Sequence, residues 1–161
     1  MLDLAKRFLL IIVITIMYFS LFRDIRGVLH ENLRGTILPE NYGVINDEIA
    51  FITPSSVAFI LYRFESNPEN GWQYKMPFGS FFLFSLIGLV FIKAKRKSFL
   101  ILISFHFIGG LLSTLFVWIG IHGFTNALIF TDFISRYLLP IGSLGLVALT
   151  LVQIKDSAEN E

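Results

Sequence analysis

SFLILISFHFIGGLLSTLFVWIGI, residues 98–121, runs for 24 positions without a formal charge. At about 1.5 Å per residue, such a run makes a helix long enough to cross the roughly 30 Å hydrocarbon core of a bilayer. The apolar character continues beyond it. From Ser98 to Ile154 only Asp132 and Arg136 carry a full charge, in Thr131-Asp-Phe-Ile-Ser-Arg-Tyr-Leu-Leu-Pro140. The apolar run after that pair predicts another span at about 133–154. His122-Gly123 supplies a tight turn between the two.

Phe78 to Ile92 (FGSFFLFSLIGLVFI) reads as a further span, at about 78–93. Pro77 opens it, and Trp72 and Tyr74 are placed for an interfacial aromatic belt. Near the start, Phe8 to Phe22 (FLLIIVITIMYFSLF) is uncharged. Lys6, Arg7 and Arg23 extend this run to a span of about 8–23, because their alkyl stems stay in hydrocarbon. No small-x-small cleavage site follows Phe22, so the pattern predicts an uncleaved anchor and not a signal peptide.

The expected fold class is therefore an all-α integral membrane protein, one domain over residues 1–161. Four transmembrane helices form a bundle, with a roughly fifty-residue extracytoplasmic loop, about 24–77, between helices 1 and 2. Composition agrees: 55% of the 161 residues are hydrophobic, mean hydropathy is +0.71, and 16% are charged, against about 25% in soluble domains. The chain has no cysteine, which excludes disulfides, thiolate metal sites and cysteine nucleophiles. A net charge of +1 gives no general attraction to nucleic acid.

Seven basic residues (Lys6, Arg7, Lys93, Lys95, Arg96, Lys97 and Lys155) fall at the ends assigned to one side. The loop from Arg23 to Lys75 carries five, spread out among seven acidic ones. The positive-inside rule then places both termini in the cytoplasm of a cell (inner) membrane, with the loop outside. Within the loop, Phe22, Ile25, Val28, Leu29 and Leu33 recur at helical spacing. An amphipathic extension to about Arg34 is expected, ended by Gly35 and Pro39. For residues 49–64, Thr53 as N-cap and Pro54 at the first helical position favour an interfacial helix. A β-hairpin of 49–53 with 57–64 is the alternative, on aromatic and β-branched content.

Candidate chemistry is sparse. Asp132 and Arg136, four apart on a helix, are either an interfacial ion pair at a helix end or the floor of an outer pocket. In the second case Arg136 would bind a lipid phosphate or carboxylate, with His122 and His30 at the same interface. His106, near mid-span, is expected to be a hydrogen-bonded packing histidine, since the spans offer no second ionisable group at its depth. Gly109, Gly110 and Ser113, with Gly142 and Gly145, mark a close seam between the last two spans. The acidic loop has no metal-ligand spacing, so no metal site and no cofactor are expected. HExxH, P-loop, GxSxG and EF-hand patterns are all missing. The function expected is a non-catalytic accessory or assembly subunit of a larger membrane complex, with the lipid bilayer and another membrane protein as partners and no nucleic acid. The alternatives are an enzyme acting on a lipid-linked or anionic substrate at the outer leaflet, and a subunit of an oligomeric channel or carrier.

Overall fold

The computed structural model describes residues 2–37, 42–45, 48–55, 57–63 and 66–159. Six α-helical segments and four strands follow one another as α1 (Leu2–Met17), α2 (Arg23–Ile37), β1 (Tyr42–Val44), β2 (Ile49–Ser55), β3 (Ala58–Arg63), β4 (Trp72–Lys75), α3 (Ser80–Phe91), α4 (Arg96–Ile121), α5 (Ala127–Phe133) and α6 (Leu139–Glu159).

Two of the junctions are not breaks. A π-helical turn at Tyr18–Phe22 joins α1 to α2, and another at Ile134–Leu138 joins α5 to α6. In each, an amide reaches five residues back, Arg23 to Tyr18 and Leu139 to Ile134. The second turn has a covalent cause one residue on. Pro140 has no N–H and its ring crowds the carbonyl four residues earlier, so a regular ladder cannot run through it.

Among the described residues, three helices are long and apolar enough to cross a membrane: Leu4–Asn32, Arg96–Ile121 and Ala127–Ser157. The expected second span is shorter. Its helix is only the 12 residues Ser80–Phe91, roughly 18 Å. The cause lies just before it, where Phe78 takes a left-handed backbone (φ 59°) and the chain from Met76 to Gly79 is irregular.

The all-α expectation fails between residues 42 and 75. This stretch is a four-stranded antiparallel meander in the order β1-β2-β3-β4. Thr53-Pro54 does not start a helix; it lies in β2. Pro54 cannot donate to the ladder, and pairing shifts register between Ile52 and Ser55. The register pairs Phe51 with Leu61, Leu61 with Trp72 and Phe59 with Tyr74. Alternate residues Ile49, Phe51, Phe59, Leu61 and Tyr74 thus share one face, buried against Val117 and Ile121 of α4 and Leu128 of α5. Each of these large side chains contributes about 1.5–3 kcal/mol by leaving water, which outweighs the weak helix signal of a cap and a proline. The expected helix end at Gly35 is also passed, since α2 reaches Ile37; Pro39 lies outside the described residues.

A second core joins α1, α3, α4 and α6 around Tyr18, Phe82, Leu83, Leu89 and Leu102. The last two long helices meet closely. A Cβ on Gly109 would sit 2.6 Å from Leu139, and one on Gly142 would collide with Phe105. Gly110 is needed elsewhere: its missing Cβ admits Pro77, whose ring would lie 2.6 Å away. Gly145 faces open space, so it takes no part in the seam expected of it.

Candidate functional site

β4 is an edge strand, and alternate residues of an antiparallel edge turn their unbonded N–H and C=O groups outward. Here those are Gly71, Gln73 and Lys75, and α5 with the π turn meets all three. Asp132 Oδ1 accepts from the Gln73 amide at 2.7 Å. Arg136 Nη2 donates to the Gly71 carbonyl at 3.1 Å. Ser135 Oγ accepts from the Lys75 amide at 3.3 Å. Arg136 Nε and Asp132 Oδ1 are joined at 2.6 Å, with side chains 36% and 21% exposed. The pair is therefore a clamp on the sheet edge. Gly71 itself is buried where a Cβ would strike the Leu61 carbonyl at 2.5 Å, which keeps that carbonyl-bearing turn tight.

A second polar cluster centres on His106, which is 2% exposed. Its Nδ1 accepts from the Phe78 amide at 3.1 Å. Nδ1 is then without a proton in the neutral ring, so Nε2 carries it and donates to Ser143 Oγ at 2.7 Å. Ser143 Oγ in turn donates to the Leu139 carbonyl at 2.5 Å. The ring is stacked on Phe78 and edge-on to Phe82 and Phe105. Every polar atom in this chain of bonds has a partner.

Arg26, which sequence reasoning passed over, makes the third cluster. Its Nε donates to the Pro77 carbonyl at 2.7 Å and its Nη2 to the Met76 carbonyl at 3.1 Å. Nη1 lies 3.4 Å from the Tyr18 hydroxyl, two turns nearer the chain's start. Eight residues in an α-helix normally differ by about 80° around the axis. The extra residue absorbed in the π turn removes roughly one 100° step and brings Tyr18 and Arg26 onto one face. Arg26 thus satisfies the Met76 and Pro77 carbonyls, and His106 the Phe78 amide, of one irregular segment.

Tyr74 completes the wall beside that segment. Burial raises its phenol above the ordinary range, so it stays protonated. It donates to Met76 Sδ at 3.1 Å, and the Thr114 hydroxyl meets it at 3.3 Å.

The structure does not gather the predicted outer-interface residues into one place. Asp132 and Arg136 belong together. His122 closes the end of α4, its Nδ1 donating to the Trp118 carbonyl at 2.8 Å while the ring lies over that indole. His30, on α2, is fully buried against Phe59. Among the described residues, neither of its ring nitrogens has a hydrogen-bond partner. Glu31 approaches Nδ1 only to 3.9 Å and is itself paired with Arg34 at 2.9 Å. Among the described residues no three His, Asp or Glu side chains converge as a metal site.

An orphaned polar ring costs stability, so His30→Leu is expected to stabilise by about 1 kcal/mol, a rise of roughly 2–4 °C in the melting midpoint of the purified protein. Differential scanning fluorimetry in detergent checks this. A fall in the midpoint would show that His30 has a polar partner in solution.

No family model, no characterised protein and no solved structure matches the chain.

Proposed function

We propose that the chain is an integral protein of the cell (inner) membrane that serves as a non-catalytic accessory or assembly subunit of a larger membrane complex. In this reading α1, α4 and α5–α6 cross the bilayer, and α3 crosses together with the irregular Met76–Gly79 segment. The sheet stands on the outer side, and both termini are cytoplasmic. One observation carries the non-catalytic reading. Four ionisable side chains on the apolar helices, Arg26, His106, Asp132 and Arg136, are each bonded to the chain's own backbone. Catalytic acids and bases need a proton site aimed at a substrate, and the two of these that exchange a proton, His106 and Asp132, are bonded to the Phe78 and Gln73 backbone amides instead. Non-helical backbone is tolerated at such a depth where protein satisfies it, as Arg26 and His106 do for the Met76 and Pro77 carbonyls and the Phe78 amide.

Partner binding is favoured by the first helix. Only 6% of its apolar stretch is buried within the fold, against 33% for α4. Phe8, Leu9, Ile12, Ile16 and Phe19 all face outward.

The native chain has no cysteine, so single introduced cysteines report topology cleanly. Arg63→Cys is expected to react with a membrane-impermeant maleimide on intact cells, and Lys95→Cys only after permeabilisation. The reverse pattern would invert the orientation. Rapid labelling of Leu112→Cys, within the uncharged run of α4, would rule out membrane embedding. Extraction in mild detergent is expected to yield a stoichiometric complex with a larger membrane protein. A solitary chain that by itself turns over a lipid-linked substrate would overturn the accessory role.

A further inference from the structure

We propose that the groove between α2 and α4, beside the Met76–Phe78 segment, binds the phosphodiester headgroup of a monoanionic phospholipid on Arg26. The proposal rests on the membrane placement above.

The groove has a volume of about 290 Å³ and is lined by Arg26, Leu29, Tyr74, Pro77, Leu111 and Thr114 among others. Its rim is apolar and open: Leu29 is 53% exposed, Phe107 58% and Leu111 57%. In the bilayer, that rim meets acyl chains and not water. One wall carries a cation. A guanidinium has five N–H groups, and Arg26 spends three of them, on Pro77, Met76 and Tyr18. Two remain. Among the described residues Arg26 bonds to the two carbonyls and the Tyr18 hydroxyl, and no carboxylate is paired with it.

Three neutral acceptors satisfy hydrogen bonds but leave a full positive charge in apolar surroundings, and such a charge is costly unless an anion joins it. Snorkelling toward the nearest water does not relieve it, because the guanidinium reaches back to Tyr18, toward the middle of the apolar stretch. A single cation matches a single negative charge. Between the two common monoanionic lipid heads, a carboxylic acid in apolar surroundings takes up a proton and becomes neutral. A phosphodiester stays ionised and so keeps the single negative charge that matches the guanidinium.

The test is native mass spectrometry of the full chain released from nanodiscs of equal phosphatidylglycerol and phosphatidylcholine. The wild type is expected to retain phosphatidylglycerol about fivefold over phosphatidylcholine, the scale of one basic side chain acting on an anionic lipid. Arg26→Gln is expected to remove the preference. Leu111→Trp, which fills the mouth and leaves Arg26 in place, should lower the lipid retained with an unchanged circular dichroism spectrum. Arg63→Gln, an exposed charge on the sheet, should change nothing. Equal retention of both lipids by the wild type, or undiminished phosphatidylglycerol retention in Leu111→Trp, overturns the proposal, as does displacement of phosphatidylglycerol by oleate. The Leu112→Cys labelling separates the two failures. An embedded helix without lipid preference removes this site alone, whereas a water-accessible one removes the membrane placement.

Discussion

His106→Leu is expected to destabilise the fold by about 3 kcal/mol, a large share of the 5–15 kcal/mol that typically holds a domain together. The volume lost is small, so packing contributes little. Side-chain hydrogen bonds between helices in apolar surroundings are themselves modest, averaging about 0.6 kcal/mol, so the loss of the bond to Ser143 is a minor part. The larger effect is the orphaned Phe78 amide. Leucine cannot accept from it, and a buried unpaired amide costs about 1–3 kcal/mol. Phe78 also sits at φ 59°, a conformation a bulky residue holds only when its surroundings impose it. The His106 acceptor and the stacked ring supply that constraint. His106→Gln, which keeps one acceptor and one donor, should recover part of the loss. Equilibrium unfolding in mixed micelles measures both variants. A leucine variant as stable as the wild type would mean that the Phe78 amide is solvated.

Asp132→Ala is expected to cost about 2–3 kcal/mol, since it unpairs the Gln73 amide and leaves Arg136 without its carboxylate. Full burial would raise the figure, but both side chains retain partial contact with solvent, which screens the loss. Asp132→Asn separates the two contributions. Its amide oxygen still accepts from Gln73 while the charge is gone, so a cost near 1 kcal/mol is expected. The cycle with Arg136→Gln should show coupling of at least 0.5 kcal/mol, as for residues in one bonded network. Additive costs would show two independent contacts with no clamp.

Much of the helical framework is legible in the sequence. Uncharged runs such as Ser98–Ile121 announce their length and class, and His122-Gly123 announces its turn, where Gly123 does adopt a positive φ of 113°. The sheet is harder to see because its strands are only three to seven residues long. Alternation in β3 is blurred because Ala58 and Tyr62 are buried as well as Phe59 and Leu61. A short run apolar on both faces looks the same to a helix and to a covered strand. The clamps are invisible for a different reason. Asp132 reaches a backbone amide 59 positions away and Arg136 a carbonyl 65 away, and backbone groups leave no mark in a sequence. Arg26 did leave a signal. It lies four residues after Phe22, three before Leu29 and seven before Leu33, on the apolar stripe of its own helix. A cation on such a stripe needs an acceptor there, and the Met76 and Pro77 carbonyls provide it.

Hydrogen–deuterium exchange over residues 71–79, in the intact protein and in Asp132→Ala, tests most directly whether polar side chains on the apolar helices hold the sheet edge and its connection. The wild-type amides should be protected like those of α4. The variant should speed exchange in this segment about tenfold or more while residues 98–121 stay unchanged. Wild-type exchange as fast as at the exposed Asn67–Asn70 turn, or a variant indistinguishable from the wild type, would contradict it.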